Sequence, residues 1–303
     1  GGGGGGSSSS SGSSSNSSSS SSSRGNPNEA GVSIDYTVCS ALLFNSRRPP
    51  SLLKFLVDSI GTNDKAIVKA REDAFKLLAA YIKGIGCQEA APFAEHIFSK
   101  CLHVFQEDLK ESIKTNALLP VKNILRFRIL EATTVEGVLP DVLNSLLTDL
   151  ERPKQGVTKR CEMLKVLGLF VRAFPTSPAI KSTVEQIIRT AQSALTLQFE
   201  GNKKPESAVI EGALSCLDNC FFEHGDQYMS SEKKTNLWLM LLILLKTAAD
   251  GELSRYGMVS KALRLVKNHA GMFRQVLALN KNMRESYVHV VACYRSSHGK
   301  ESI

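Results

Sequence analysis

The sequence predicts an all-α protein, an irregular α-solenoid of the HEAT or armadillo type. Three observations support this fold class. Apolar residues recur at helical spacing along most of the chain, and no run of alternating strand residues interrupts them. Glycine, proline and short polar segments divide this pattern into about a dozen helices. The helices form pairs at a period of roughly 40 residues, which is typical of HEAT and armadillo repeats.

Each helix pair exposes an apolar face that it cannot bury alone, so neighbouring pairs should stack on one another. The alternative is a compact helical bundle, which is disfavoured because no small set of long helices shares one seam. We expect a disordered Gly/Ser-rich tail at 1–28, a linker at 29–50 and helical repeats at 51–303. The last predicted helix lacks a polar outer face, so we also expect the array to be truncated at its C-terminal end.

Helix boundaries follow from apolar spacing and stop signals. Gly84 and Gly86 end the second helix, and Pro92 lies near the start of the third. Pro120 should kink or break the fourth helix, and Pro178 helps to end the sixth. The predicted helices are Leu52–Ile60, Lys65–Ile85, Pro92–Gln106, Ser112–Phe127, Pro140–Leu150, Thr158–Phe174, Thr183–Phe199, Ser207–Phe222, Asn236–Ala249, Ser254–Ala270 and Asn282–Ser296.

The composition narrows the class of function. A net charge of +8 favours an anionic partner, nucleic acid above all. The seven scattered cysteines indicate a reducing compartment with thiols in the core. The longest apolar run, Leu237–Leu245, is well short of the ~20 residues that a membrane span needs. The sequence also lacks a phosphate-binding loop, kinase active-site motifs and a nucleophile elbow, which predicts no catalytic residues, no cofactor and no small-molecule substrate.

One group of side chains could bind a metal. Cys216, Cys220 and His224 recur at four-residue spacing on one helix face, as ligands of a soft metal could. A structural zinc site needs four ligands, and no partner pair is evident. We therefore expect core cysteines here and no metal.

Basic residues near the C-terminus are the candidate nucleic-acid site. Arg255, Lys261, Arg264, Lys267 and Arg274 have few acidic residues between them. Lys261, Arg264 and Lys267, here called the basic stripe, recur every three residues and should face solvent on one helix. Such a stripe can contact phosphates without sequence preference, although a solvated polar face is the simpler alternative.

Three collinear segments resemble one known family. Arg255–Phe273 contains Arg-Tyr, Leu-Arg-Leu and His-Ala, Ala70–Phe93 contains an Arg-Glu helix followed by Ala-Pro-Phe, and Lys204–Leu217 contains Lys-Pro and Ala-Leu-Ser. They are similar, in order and spacing, to the N-terminal helical-repeat region of the DNA-dependent protein kinase catalytic subunit. The resemblance covers about residues 60–295.

The resemblance implies a specific role. In that family the region is a solenoid arm that works at double-stranded DNA ends with the Ku heterodimer in non-homologous end joining, in the nucleus. The kinase domain lies at the far C-terminus of such proteins, so we expect no phosphotransfer by this chain. Arg47-Arg48 is at most a weak nuclear-import signal. The alternative function is a generic HEAT-repeat adaptor that binds proteins and no nucleic acid.

Overall fold

The computed structural model describes residues 68–152, 155–198, 206–224, 228–249, 256–279 and 281–298. All of them lie in one compact unit, Tyr36–Ile303. The predicted tail, linker and first helix lie outside the described residues. The described elements are α1 (Val68–Glu107), α2 (Glu111–Arg126), α3 (Ala132–Val135), α4 (Leu139–Glu151), α5 (Val157–Ala173), α6 (Pro178–Thr196), α7 (Ser207–His224), α8 (Ser231–Ala249), α9 (Tyr256–Asn268), α10 (Ala270–Leu279) and α11 (Lys281–His298).

The helices stack in two layers, which confirms the predicted all-α solenoid. Layer A contains α4, α6, α8 and α10, and layer B contains α2, α5, α7 and α9; within each layer a helix packs on its neighbours. Helices adjacent in the chain pair across the layers, as in α4 with α5, α6 with α7, and α8 with α9. Helix α11 packs on α8 and α10, and α1 packs on α2.

Helix α1 folds back on itself. Arg71 Nη1, in its first turn, lies 2.8 Å from Asp108 Oδ2, which directly follows its last residue. A straight helix would place these residues about 55 Å apart, at ~1.5 Å per residue. The reversal therefore falls inside Val68–Glu107, where Gly84, Gly86 and Pro92 predict a boundary between two helices.

Both arms of α1 and every later described helix contribute to one apolar core. In the first half of the core, the Phe98 and Phe170 rings meet edge to face with centroids 6.0 Å apart. In the second half, Trp238 is fully buried and contacts the rings of Phe273 and Tyr287. None of the described helices is long and apolar enough to cross a membrane.

Two glycines bring α5 and α7 unusually close together. A Cβ atom added at Gly168 would lie 2.6 Å from the Cα atom of Cys216. The relation is reciprocal, because a Cβ atom at Gly212 would lie 2.8 Å from the carbonyl oxygen of Cys161. The central crossing of layer B thus depends on the absence of side chains at two positions.

Three sequence-based boundaries are corrected by the structure. Pro178 begins α6 rather than ending the preceding segment, because its fixed φ suits the first helical position. Helix α2 continues through the buried Pro120, so of the predicted kink or break the break does not occur. Predicted helix Ser254–Ala270 ends at Asn268. A separate helix, α10, follows it where the sequence predicts no helix.

Candidate functional site

Four layer B helices line a groove with a volume of about 610 Å³, here called the layer B groove. Its lining is mainly polar, and six of the lining side chains are cationic whereas two are acidic. They are Lys122 and Arg126 on α2, Lys165, Leu169 and Arg172 on α5, Glu211, Ser215, Asp218, Asn219 and Phe222 on α7, and Lys261, Arg264 and Asn268 on α9. The groove therefore has an excess of positive charge.

A line of alternating charges, the charge ladder, runs across these four helices. On α5, Glu162 accepts from Lys122 of α2 at 2.5 Å and from Lys165 at 3.2 Å. On α7, Glu211 pairs with Lys165 at 3.1 Å and with Lys261 of α9 at 2.5 Å. Three lysines thus share two carboxylates, and successive helices are joined by ion pairs.

The ion pairs of the charge ladder shift the pKa values of Glu211 and Lys165. Partial burial raises the pKa of Glu211, but hydrogen bonds and charges from Lys261 and Lys165 outweigh burial and hold that pKa below its ordinary value of 4.5. Burial acts to lower the pKa of Lys165, yet Glu162 and Glu211 raise it above its ordinary value of 10.5. These residues are consequently charged near neutral pH.

A second acidic centre lies at Asp218, also on α7. Its Oδ1 atom lies 3.0 Å from Nε2 of His269 and accepts a 3.2 Å hydrogen bond from Asn268, while Arg264 lies 3.7 Å from Oδ2. Burial raises the pKa of Asp218, but the hydrogen bonds and charges of these partners together lower it below 3.8. Because His269 occupies the turn between α9 and α10, Asp218 fixes that turn against α7.

Two arginines of the groove can still form an ion pair with a ligand. Arg126 and Arg172 lie in the last turns of α2 and α5, and both are exposed. Arg172 donates to Asn219 at 3.3 Å and lies over the Phe222 ring at 4.4 Å. Neither guanidinium forms an ion pair within the described residues. Phe222 is 58% exposed, so an aromatic face borders these cations.

The family model described as "DNA-PKcs, N-terminal" matches residues 37–298. The chain belongs to this family. The matched region includes the whole layer B groove, and it confirms the resemblance noted in the sequence over about residues 60–295. A role related to DNA-PK follows from membership.

The structure separates the five predicted nucleic-acid contacts of this DNA-PKcs N-terminal family member. Lys261 and Arg264 line the groove and are already paired with Glu211 and Asp218. Lys267 and Arg274 are exposed and form no ion pair within the described part of the chain. Arg255 lies outside the described residues.

Two of the three residues of the basic stripe, Arg264 and Lys267, are exposed on α9 as expected, whereas Lys261 is half-buried and paired with Glu211. Leu263, Leu265 and Val266 are buried, as the stripe's predicted solvent-facing placement requires. Four further groove cations, Lys122, Arg126, Lys165 and Arg172, were not predicted from the sequence. The sequence does place Lys122 and Arg126, four residues apart, on one helix face, and Lys165 and Arg172, seven apart, on another. It does not show that these two faces lie side by side, which is what forms the groove.

The four cysteines whose side chains the structure describes are core residues. Cys101, Cys161, Cys216 and Cys220 are buried free thiols, and burial raises the pKa of Cys101 well above its ordinary value. The His224 side chain lies outside the description. Among the described residues, no group of three or more His, Cys, Asp or Glu side chains could hold a metal ion.

Proposed function

We propose that this chain is the non-catalytic N-terminal arm of a DNA-dependent protein kinase-like protein. In this proposal it helps to engage double-stranded DNA ends and the Ku heterodimer during non-homologous end joining, in the nucleus. The observation behind the proposal is the family match over residues 37–298. The arm contributes binding surface, and phosphotransfer belongs to the kinase domain that family members have elsewhere.

The exposed cations of α9 and α10 support contact with DNA. Arg264, Lys267 and Arg274 are exposed on consecutive helices of a chain whose net charge is +8. Lysine and arginine side chains that meet phosphates release condensed counterions, which gives salt-sensitive and sequence-independent binding. Lys261 contributes less to such binding, because its ammonium group is 2.5 Å from the Glu211 carboxylate.

The test measures the affinity of the full chain for a blunt-ended DNA duplex at several salt concentrations. We expect affinity to fall as salt rises. Replacing Lys267→Glu and Arg274→Glu should weaken binding and reduce the slope of log K against log salt by about 2, because two phosphate contacts are lost at ~0.9 each. The variant leaves the charge ladder intact, so folding should be preserved.

The control is Lys181→Glu with Arg189→Glu, which makes the same charge change at two exposed positions on α6 in layer A. Arg189 pairs with Glu185 of the same helix at 2.6 Å, so circular dichroism should first verify that this variant is folded. A general effect of net charge would lower DNA affinity equally in both variants. Equal binding by the Lys267/Arg274 variant and the unaltered chain would reject these residues as contacts. No DNA affinity at physiological salt would favour the HEAT-repeat adaptor instead.

A further inference from the structure

Several features of the layer B groove do not suit a DNA backbone as its ligand. Duplex DNA presents one negative charge per ~1.7 Å of its axis, an unbroken line of like charge. Inside the groove, Glu211 and Asp218 would face that line and repel it. The exposed aromatic ring of Phe222 has no counterpart on a duplex backbone. The groove thus suits a ligand of mixed chemistry.

The free cations of the groove suit carboxylates. Arg126 and Arg172 are exposed, line the same groove and lack ion-pair partners within the described residues. A guanidinium presents a planar fork of donors that matches a carboxylate with two parallel hydrogen bonds. Basic residues in a last helical turn also suit the helix dipole. That effect does not explain why two helices direct their arginines into one groove.

Neutral lining groups supply the remaining contacts of a peptide. Ser215 and Asn268 offer a hydroxyl and an amide group at the groove surface, whereas the buried Asn219 is already bonded to Arg172 and to the Ser215 carbonyl. Such groups can donate to and accept from an extended backbone. Phe222 is an apolar anchor next to Arg172, and aromatic and arginine side chains are the residues that contribute most often to protein interfaces.

We propose that the layer B groove is a docking site for an acidic peptide segment of a partner protein. The segment places Asp or Glu carboxylates on Arg126 and Arg172 and an apolar side chain against Phe222. Its backbone lies along Ser215 of α7 and Asn268 of α9. Lys267 and Arg274 do not line the groove, whereas Arg264 lines it and is also one of the exposed cations of α9.

The test uses the full chain and a fluorescent 12-residue peptide in which Asp and Glu alternate with Phe and Leu. We expect saturable binding of this peptide, and at least ~10-fold weaker binding of a version with Asn and Gln in place of Asp and Glu. Replacing Arg126→Ala and Arg172→Ala should weaken the acidic peptide by at least ~10-fold, whereas Phe222→Ala should weaken both peptides. The control Lys181→Ala with Arg189→Ala removes the same charge from layer A and should change binding by less than about 2-fold.

The same variants separate this proposal from the proposed function. Arg126→Ala with Arg172→Ala should leave DNA affinity unchanged, and Lys267→Glu with Arg274→Glu should leave peptide affinity unchanged. Absence of acidic-peptide binding below 1 mM, or unchanged binding by the Arg126/Arg172 variant, would overturn the peptide site. Displacement of the peptide by duplex DNA, with both ligands lost in the Arg126/Arg172 variant, would assign the groove to nucleic acid.

Discussion

Replacing Gly168→Ala should destabilise the protein although alanine favours helices. Glycine inside a helix costs about 0.5–1 kcal/mol relative to alanine, so helix propensity alone predicts stabilisation. The packing of α5 on α7 predicts the opposite. The added Cβ atom would lie 2.6 Å from Cα and 2.8 Å from the carbonyl oxygen of Cys216. Both of those atoms belong to the backbone and cannot rotate away.

The size of the effect follows from the distance. Carbon atoms pack best at about 3.5–4.0 Å, so α5 and α7 must separate by roughly 1 Å to admit the methyl group. Overpacking of this kind typically costs about 1–3 kcal/mol, and the rigid backbone favours the upper part of that range. After the propensity gain is subtracted, we expect a net loss of about 1–2 kcal/mol in the free energy of unfolding.

Urea unfolding followed by circular dichroism measures this loss as a lower midpoint at unchanged slope. Gly271→Ala on α10 is the matched control, because a Cβ atom there would meet nothing within 4 Å. It should leave stability unchanged or raise it slightly. If Gly168→Ala unfolds at the same or a higher urea concentration than the unaltered chain, the close approach of α5 and α7 is not as described.

Two further predictions concern charged groups. Arg71→Ala should lower the free energy of unfolding by about 3–5 kcal/mol, because the buried Asp108 carboxylate loses its guanidinium partner; a urea midpoint within error of the unaltered chain would contradict this. Glu211 and Asp218 have pKa values below their ordinary 4.5 and 3.8 in the folded state, so the stability they confer is present at neutral pH and is lost as pH falls below these values. Urea midpoints from pH 7 to pH 3 should show this decline, and a Glu211→Gln, Asp218→Asn variant should show a shallower one.

Helical spacing alone predicted most of the fold. Helices α4, α5, α7 and α8 lie within a few residues of their predicted positions, because each is rich in apolar residues and has clear flanking signals. Gly84 and Gly86 also predicted a boundary inside α1, the helix whose two ends meet. In these segments local propensity and tertiary packing favour the same structure.

The boundaries that failed depend on contacts between distant residues. The turn after Asn268 forms where His269 reaches Asp218, 51 positions away in sequence, and the helix that follows it, α10, was not predicted. Pro120 is buried inside α2, so tertiary packing compensates there for the backbone bond that proline cannot make. The groove was missed for the same reason, since Arg126 and Arg172 meet only after α2 and α5 stack.

The charge ladder also fixes how far each helix can slide along its neighbour. Apolar faces pack almost equally well in several alignments, so burial alone sets the register of stacked helices weakly. Along the ladder, Lys122, Glu162, Lys165, Glu211 and Lys261 alternate in sign across four helices. A shift of one helical turn, about 5.4 Å, would separate each lysine from its carboxylate and leave like charges adjacent. The charge ladder therefore favours a single register among the stacked helices of this irregular array.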